Sequence, residues 1–198
     1  MTESGSADVP GFSADWYRDV VEFADRSPGA VQWFALHFTE VSILLLGALV
    51  LFTAARHLIV RRGRTLALVA PLTVPLAYLC SEGAKTIFDA ERPCRAVADV
   101  TIVAAACPPT GDWSFPSNHA TIAGAAATAT LLLSHRIGLL ATVIAALTAF
   151  SRTFVGVHYP HDVIVGVLLG VVVVTVTALS LVRLIDTLRH RRHADSLE

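Results

Sequence analysis

Three polar clusters interrupt a largely apolar chain, and each holds residue types that suit phosphoryl chemistry. The last of them in the chain is Ser151-Arg152-Thr153-Phe154-Val155-Gly156-Val157-His158-Tyr159-Pro160-His161-Asp162. Proline is tolerated where a helix opens but not in its interior. The cluster therefore predicts a helix that starts at Pro160, with His158 as its cap and Asp162 in its first turn. A carboxylate there can bond one imidazole nitrogen and fix the tautomer, which leaves the other nitrogen free to attack. Arg152 offers a planar donor fork for phosphate oxygens. A plain polar loop with a His–Asp pair has the same residues, but charge at membrane depth is costly. A second cluster is Phe115-Pro116-Ser117-Asn118-His119, set before an Ala-rich run. Pro then Ser is a helix-start signal, and the N–H groups of a helix start bind phosphate. His119 would sit in that first turn; a capped helix with an incidental His is the bland alternative. The first cluster runs from Lys85 through Arg92 to Pro93. In one helix, Lys85 and Arg92 would lie two turns apart on one face, suited to an anionic headgroup. They could equally be the snorkelling flank of a spanning helix.

What must position these clusters is a membrane bundle. Of 198 residues, 54% are hydrophobic and 16% charged, a balance too apolar for an ordinary water-soluble domain. The net charge of −1 gives no reason to expect a nucleic-acid partner. Five apolar stretches predict an all-α bundle with about five spanning helices: Val31 to Ala55, Thr65 to Ala84, Ala120 to Leu133, Ile137 to Phe154 and Val163 to Val182. The third and fourth reach spanning length only if Ser117-Asn118-His119 and Ser151-Arg152 join the helices. Ahead of them, Phe12, Trp16, Val20 and Phe23 recur at helical spacing among acids. That is either an amphipathic helix on the membrane surface or a soluble packing helix. The expected division is a tail and interfacial segment over 1–30, a membrane domain over 31–185 and a basic tail over 186–198. Residues 1–11 are expected to be disordered. The first thirty residues carry acids and no apolar run, so no cleavable signal peptide is expected.

Fourteen Arg and one Lys set the orientation. Arg56, Arg61, Arg62, Arg64, Arg136, Arg183, Arg189, Arg191 and Arg192 fall between the first two spans, between the third and fourth, or after the fifth. The positive-inside rule makes those regions cytoplasmic and puts all three polar clusters outside. Cys94 and Cys107 then share an outer loop, where a disulfide is permitted and two free thiols are equally allowed.

Lys85-x6-Arg92-Pro93, then Pro116-Ser117-x-His119, then Ser151-Arg152-x5-His158-x3-Asp162 resembles the signature of the type 2 phosphatidic acid phosphatase (PAP2) superfamily. Ten signature positions match in order, over residues 85–162. The resemblance implies a metal-independent lipid phosphatase without cofactor. It implies His158 as nucleophile, Asp162 as its orienter and His119 as proton donor. Lys85, Arg92, Ser117 and Arg152 would hold the phosphoryl group. The family usually has Gly where Asn118 stands, and an amide there would add donors near the phosphate. Chain size, Phe38-Thr39-Glu40 and Gly156-Val157-His158-Tyr159-Pro160 are similar to the bacitracin-resistance type, which acts on undecaprenyl diphosphate. That points to a polyprenyl (undecaprenyl or decaprenyl) diphosphate substrate, cleaved to the monophosphate so that the carrier lipid returns to cell-wall synthesis. Arg92, Arg95 and Asn118 would be available for the second phosphate, with Ser151 and Glu40 as possible secondary residues. Glu82 is expected to pair with a nearby Arg. A phosphatidylglycerophosphate or phosphatidic acid phosphatase is the same-class alternative, and a non-catalytic lipid-phosphate binder or flippase the remote one. The expected partners are a lipid phosphate or diphosphate and membrane lipid; the sequence sets no oligomeric state.

Overall fold

The computed structural model describes residues 11–61 and 63–195, so most of the stretch expected to be disordered, Arg62 and the last three residues lie outside it. Seven helices make up the described residues: α1 (Gly11–Asp25), α2 (Gly29–Ile59), α3 (Arg64–Phe88), α4 (Pro93–Ala96), α5 (Asn118–Leu133), α6 (His135–Phe154) and α7 (Pro160–Asp195). The apolar runs foresaw α2, α3, α6 and α7, each long and apolar enough to cross a membrane. Their outward faces carry Leu44, Leu51, Leu72, Val143 and Leu168, all exposed in the isolated chain. A solvent of lipid tails explains such a surface. The protein is membrane-integral and all-α.

The Ala-rich stretch behaves differently from the expected third span. At 16 residues α5 is about 24 Å long, too short to cross alone. It packs against α2, α3, α6 and α7 and buries ten of its residues, six of them alanines. Small side chains let neighbouring helices close in, which is how helices associate where lipid is as apolar as they are. The seam with α7 is the longest run of such contacts. A Cβ added at Gly170 would lie 2.3 Å from Thr121 O, one at Gly166 2.7 Å from Ser117 O, and one at Gly124 2.6 Å from Val167 O. α5 is thus the enclosed post of the bundle rather than one of its lipid-facing staves.

Polar ends do join the helices as the short spans required, since α5 takes in Asn118 and His119 and α6 takes in Ser151 and Arg152. α7 runs on beyond its expected apolar end, through the first part of the basic tail. There Arg189 Nη1 donates to Thr65 Oγ1 (2.8 Å), tying that extension to the start of α3. Because the long helices alternate in direction, the end of α3, the start of α5, the end of α6 and the start of α7 meet at one end of the bundle.

α1 lies over that end. It turns Ser13, Tyr17, Val21 and Ala24 inward, and leaves Phe12, Trp16 and Phe23 exposed. The packing-helix reading holds for one face, while the other leaves its aromatics exposed, as a helix on a membrane surface would need. The connection from 89 to 117 closes the same end and is stapled by a Cys94–Cys107 disulfide (Cα–Cα 5.8 Å).

Candidate active site

Pro160 opens α7 as the proline rule requires, so His158 stands two residues ahead of the helix and does not cap it. Both His158 and Asp162 are buried. Asp162 Oδ2 is fixed by the backbone N–H of Tyr159 (2.9 Å) and by the Ser114 hydroxyl, and lies 3.4 Å from His158 Nδ1. On the other side of the ring, Arg92 Nη1 is 3.0 Å from His158 Nε2. A guanidinium can only donate, so Nε2 must carry the lone pair and Nδ1 the proton. Burial pushes the imidazole down to about 3, opposed by its bond to Asp162 and reinforced by the charge of Arg92. The side chain is thus a neutral imidazole with its free electron pair turned toward the cations.

Lys85 and Arg92 converge, but not on one helical face. Asp89 takes a left-handed conformation (φ 42°) and ends α3, and Arg92 is extended ahead of Pro93. A residue before proline is driven out of the helical region, which is why the single-helix expectation fails. The loop brings the two cations together instead. Asp112 Oδ1 accepts from Lys85 Nζ (3.2 Å) and Arg92 Nη2 (2.9 Å), while Asp112 O accepts from Arg92 Nε (2.8 Å). Arg152, at the end of α6, donates to Thr39 Oγ1 (3.1 Å) and lies 3.6 Å from Glu40 Oε1. Ser117 precedes α5 but makes no side-chain cap, and its buried hydroxyl has no partner among the described residues. Arg152 Nε is likewise buried and unpartnered among them.

The charges form two layers. The cations are deep, with side chains only 8% (Lys85), 4% (Arg92) and 11% (Arg152) exposed. The acids paired with them stand at the rim: Glu82 at 44%, Asp112 at 45% and Glu40 at 69%. Such pairing holds cations preformed in a low-dielectric site at less cost than burying them alone. An incoming dianion would meet the same donors. His119 joins this rim, its Nε2 3.2 Å from Glu40 Oε1.

Eight of the expected site residues are gathered here: His158, His119, Asp162, Lys85, Arg92, Ser117, Arg152 and Glu40. The others have different tasks. The Asn118 amide donates to Glu82, and its oxygen accepts from Ser81 Oγ (2.7 Å), so α3 holds both of its ends. Glu82 pairs with Lys85 (3.6 Å) rather than with an Arg. Arg95 binds the carbonyls of Pro108 and Pro109 and lies 3.4 Å from Glu91, and so braces the stapled loop. Ser151 donates to Thr148 O (2.7 Å) within its own helix. Asp112 and Ser114 were missed. Their only signal was an acid and a hydroxyl just ahead of Phe115-Pro116-Ser117, in a loop whose path the sequence does not give.

The PAP2 superfamily profile matches residues 66–186. An undecaprenyl-diphosphatase of Sulfolobus acidocaldarius is 34% identical over 114 residues, which are 57% of this chain and 54% of that protein. A decaprenylphosphoryl-5-phosphoribose phosphatase of Mycobacterium tuberculosis is 52% identical over 61 residues, 30% of this chain and 33% of that one. The chain thus spans about half, or less, of the length of these curated relatives. Aquifex aeolicus LpxE shares the fold, with a TM-score of 0.68 at 23% identity over 89% of this chain and 99% of that one.

Proposed function

Since this chain belongs to the PAP2 superfamily, we propose that it is a membrane lipid phosphatase that cleaves polyprenyl diphosphate to the monophosphate through a phosphohistidine. The observation that carries the chemistry is the paired state of His158. Its Nε2 lone pair faces the deep cations while Nδ1–H faces a fixed carboxylate, and Ser117 Oγ and Arg152 Nε wait nearby without partners. Buried polar atoms seldom stay unsatisfied, and phosphoryl oxygens would satisfy these.

In this reading Lys85, Arg92, Arg152, Ser117 and the first N–H groups of α5 hold the terminal phosphoryl group. Arg92 moves from His158 Nε2 to a phosphoryl oxygen as the substrate enters. Nε2 attacks phosphorus, and the bond from phosphorus to the bridging oxygen breaks. His119 gives its proton to that leaving oxygen, and Asp162 steadies the imidazole as it becomes a phosphoimidazolium. Neutral His119 then takes a proton from water, whose oxygen displaces His158 and releases inorganic phosphate. No redox change occurs, and each proton has a named carrier. The site lies on the extracytoplasmic side of the cell membrane, in keeping with the arginines at the opposite end and with a disulfide in the outer loop.

The diphosphate substrate is supported by the likeness to the undecaprenyl-diphosphatase. Carrier-lipid recycling for cell-wall synthesis would follow from it. A second reading, a monoester borne on a polyprenyl lipid, is favoured by two observations. Of Arg92, Arg95 and Asn118, expected to be available for a second phosphate, Arg95 is drawn to the Pro108 and Pro109 carbonyls and Asn118 is held by Glu82 and Ser81, and the M. tuberculosis relative is 52% identical over its matched stretch. Phosphate release by purified protein, with EDTA present, from undecaprenyl diphosphate, decaprenylphosphoryl-5-phosphoribose, phosphatidylglycerophosphate and phosphatidic acid separates them. The leading reading expects the highest kcat/KM on undecaprenyl diphosphate. A preference for any of the monoesters replaces it, and loss of all turnover in EDTA would overturn the metal-independent mechanism.

A further inference from the structure

The face that α1 turns inward is laid against the loop that carries His158. Tyr17, fully buried, donates its hydroxyl to Gly156 O (2.8 Å) and packs on Tyr159 with ring centroids 5.5 Å apart. Tyr159 stacks in turn on His161, 5.3 Å between centroids and 19° from parallel. Ser13, also fully buried, bonds to His161 Nδ1. The opposite nitrogen of that ring, Nε2, is 3.1 Å from Asp162 Oδ1. That oxygen has no aligned hydrogen bond among the described residues, although Asp162 is fully buried. The other oxygen, Oδ2, is the one that faces His158.

We infer that His161, held by Ser13 and Tyr17 of α1, is a positioning residue that sets the Asp162 carboxylate for the nucleophile, which makes α1 part of the catalytic apparatus. The inference rests on the phosphohistidine reading above. Its physical basis is the tautomer chain. If the Ser13 hydroxyl donates to Nδ1, the proton of His161 sits on Nε2, 3.1 Å from Oδ1 and close enough to hold it by charge though not in hydrogen-bond alignment. A buried carboxylate oxygen needs such a partner, and no other donor among the described residues stands in that place. With Oδ1 anchored, rotation of the carboxylate is restrained and Oδ2 stays on His158 Nδ1–H. Without it, the carboxylate can turn and the imidazole loses its preferred orientation. A second histidine on the proposed catalytic carboxylate thereby ties reaction rate to the docking of the N-terminal helix.

The test uses the full chain in detergent or lipid. His161→Phe keeps the aromatic stack and removes both nitrogens. It should lower the single-turnover rate roughly tenfold, the size of coupling seen between contacting residues, with KM unchanged. His161→Gln, which restores a donor, should recover most of the rate, and Ser13→Ala should cost roughly threefold by loosening the ring. The deciding measurement is the cycle with Asp162→Asn. A group that acts only through Asp162 should have little further effect once that carboxylate is gone. Full activity in His161→Phe, an unchanged penalty in the Asp162→Asn background, or a loss confined to KM would each overturn the inference. Should His161→Phe fail to fold, Ser13→Ala in both backgrounds decides the question by the same comparison. Inactive wild-type protein on every lipid tested would sink the phosphatase reading, and this inference with it.

Discussion

The proposed mechanism asks His158 to be a neutral nucleophile in the company of cations, and burial favours that state. The folded value of about 3 lies below the ordinary histidine value of about 6.5. Between the two, the unfolded chain binds a proton that the folded protein refuses. Acidification through that window therefore removes stability, and above it this group contributes no pH dependence. The lone pair survives meanwhile, so the acid limb of kcat/KM due to His158 should fall below about pH 5 once substrate ionisation is subtracted. A limb near 6.5 that persists in His119→Gln would contradict this. His158→Ala and His119→Ala should each lose about 1,000-fold or more in turnover while the proteins still fold, with Asp162→Asn keeping residual activity. Phosphate release by His158→Ala at the wild-type rate would end the covalent mechanism. Asp112 raises a separate question. Burial alone would raise its carboxyl, but the hydrogen bond and charge of Arg92, then Lys85, hold it below the usual range. It stays ionised and competes with phosphate for both cations. Asp112→Asn should tighten inhibition by inorganic phosphate about threefold, read from initial rates. Weaker inhibition would mean that Asp112 serves to aim Arg92 instead.

Among elements, the α5–α7 seam sets the strictest demand. Gly170→Ala puts a methyl group against the backbone of Thr121 and Ala125, and should destabilise the fold by about 1–3 kcal/mol. Gly47, with nothing within 4 Å of an added Cβ, is the control, and Gly47→Ala should be silent or slightly stabilising. Unfolding midpoints in one detergent would compare them; equal midpoints would show that the seam can yield. Helix positions were legible because long apolar runs have few alternatives in a bilayer. The enclosure of α5 was not, since a run of alanines reads as apolar whether it faces lipid or protein. The pairing of His158 with Asp162 was legible because the two lie four residues apart at a proline-opened helix. Asp112 and Ser114 were not, because tertiary folding of the outer loop, not local spacing, brings them to Arg92 and Asp162. The inward face of α1 was hidden by its own aromatics: Phe12, Trp16 and Phe23 drew attention to the side that stays exposed.

For the whole molecule, the separation of charge along the bundle predicts its orientation. Single cysteines at Thr110 and at His135, in a Cys80→Ser background, mark opposite ends, and both positions are exposed. An impermeant thiol reagent on intact cells should label Thr110→Cys and spare His135→Cys. The reverse pattern would turn the protein over and place the site in the cytoplasm.

The glycine seam has one more consequence, a mechanical one. His119 is the second residue of α5 and Asp162 the third of α7, so a slide between these helices would shift the proposed proton donor relative to the carboxylate beside His158. Gly166 and Gly170 rest against backbone atoms of α5 as teeth rest in a rack. A keyed rack does not creep; it holds or it jumps, and one helical turn is about 5.4 Å, too far for in-line transfer to survive. The seam is therefore a gauge that would hold the stroke of the proposed phosphoryl transfer to within the tolerance of a missing methyl.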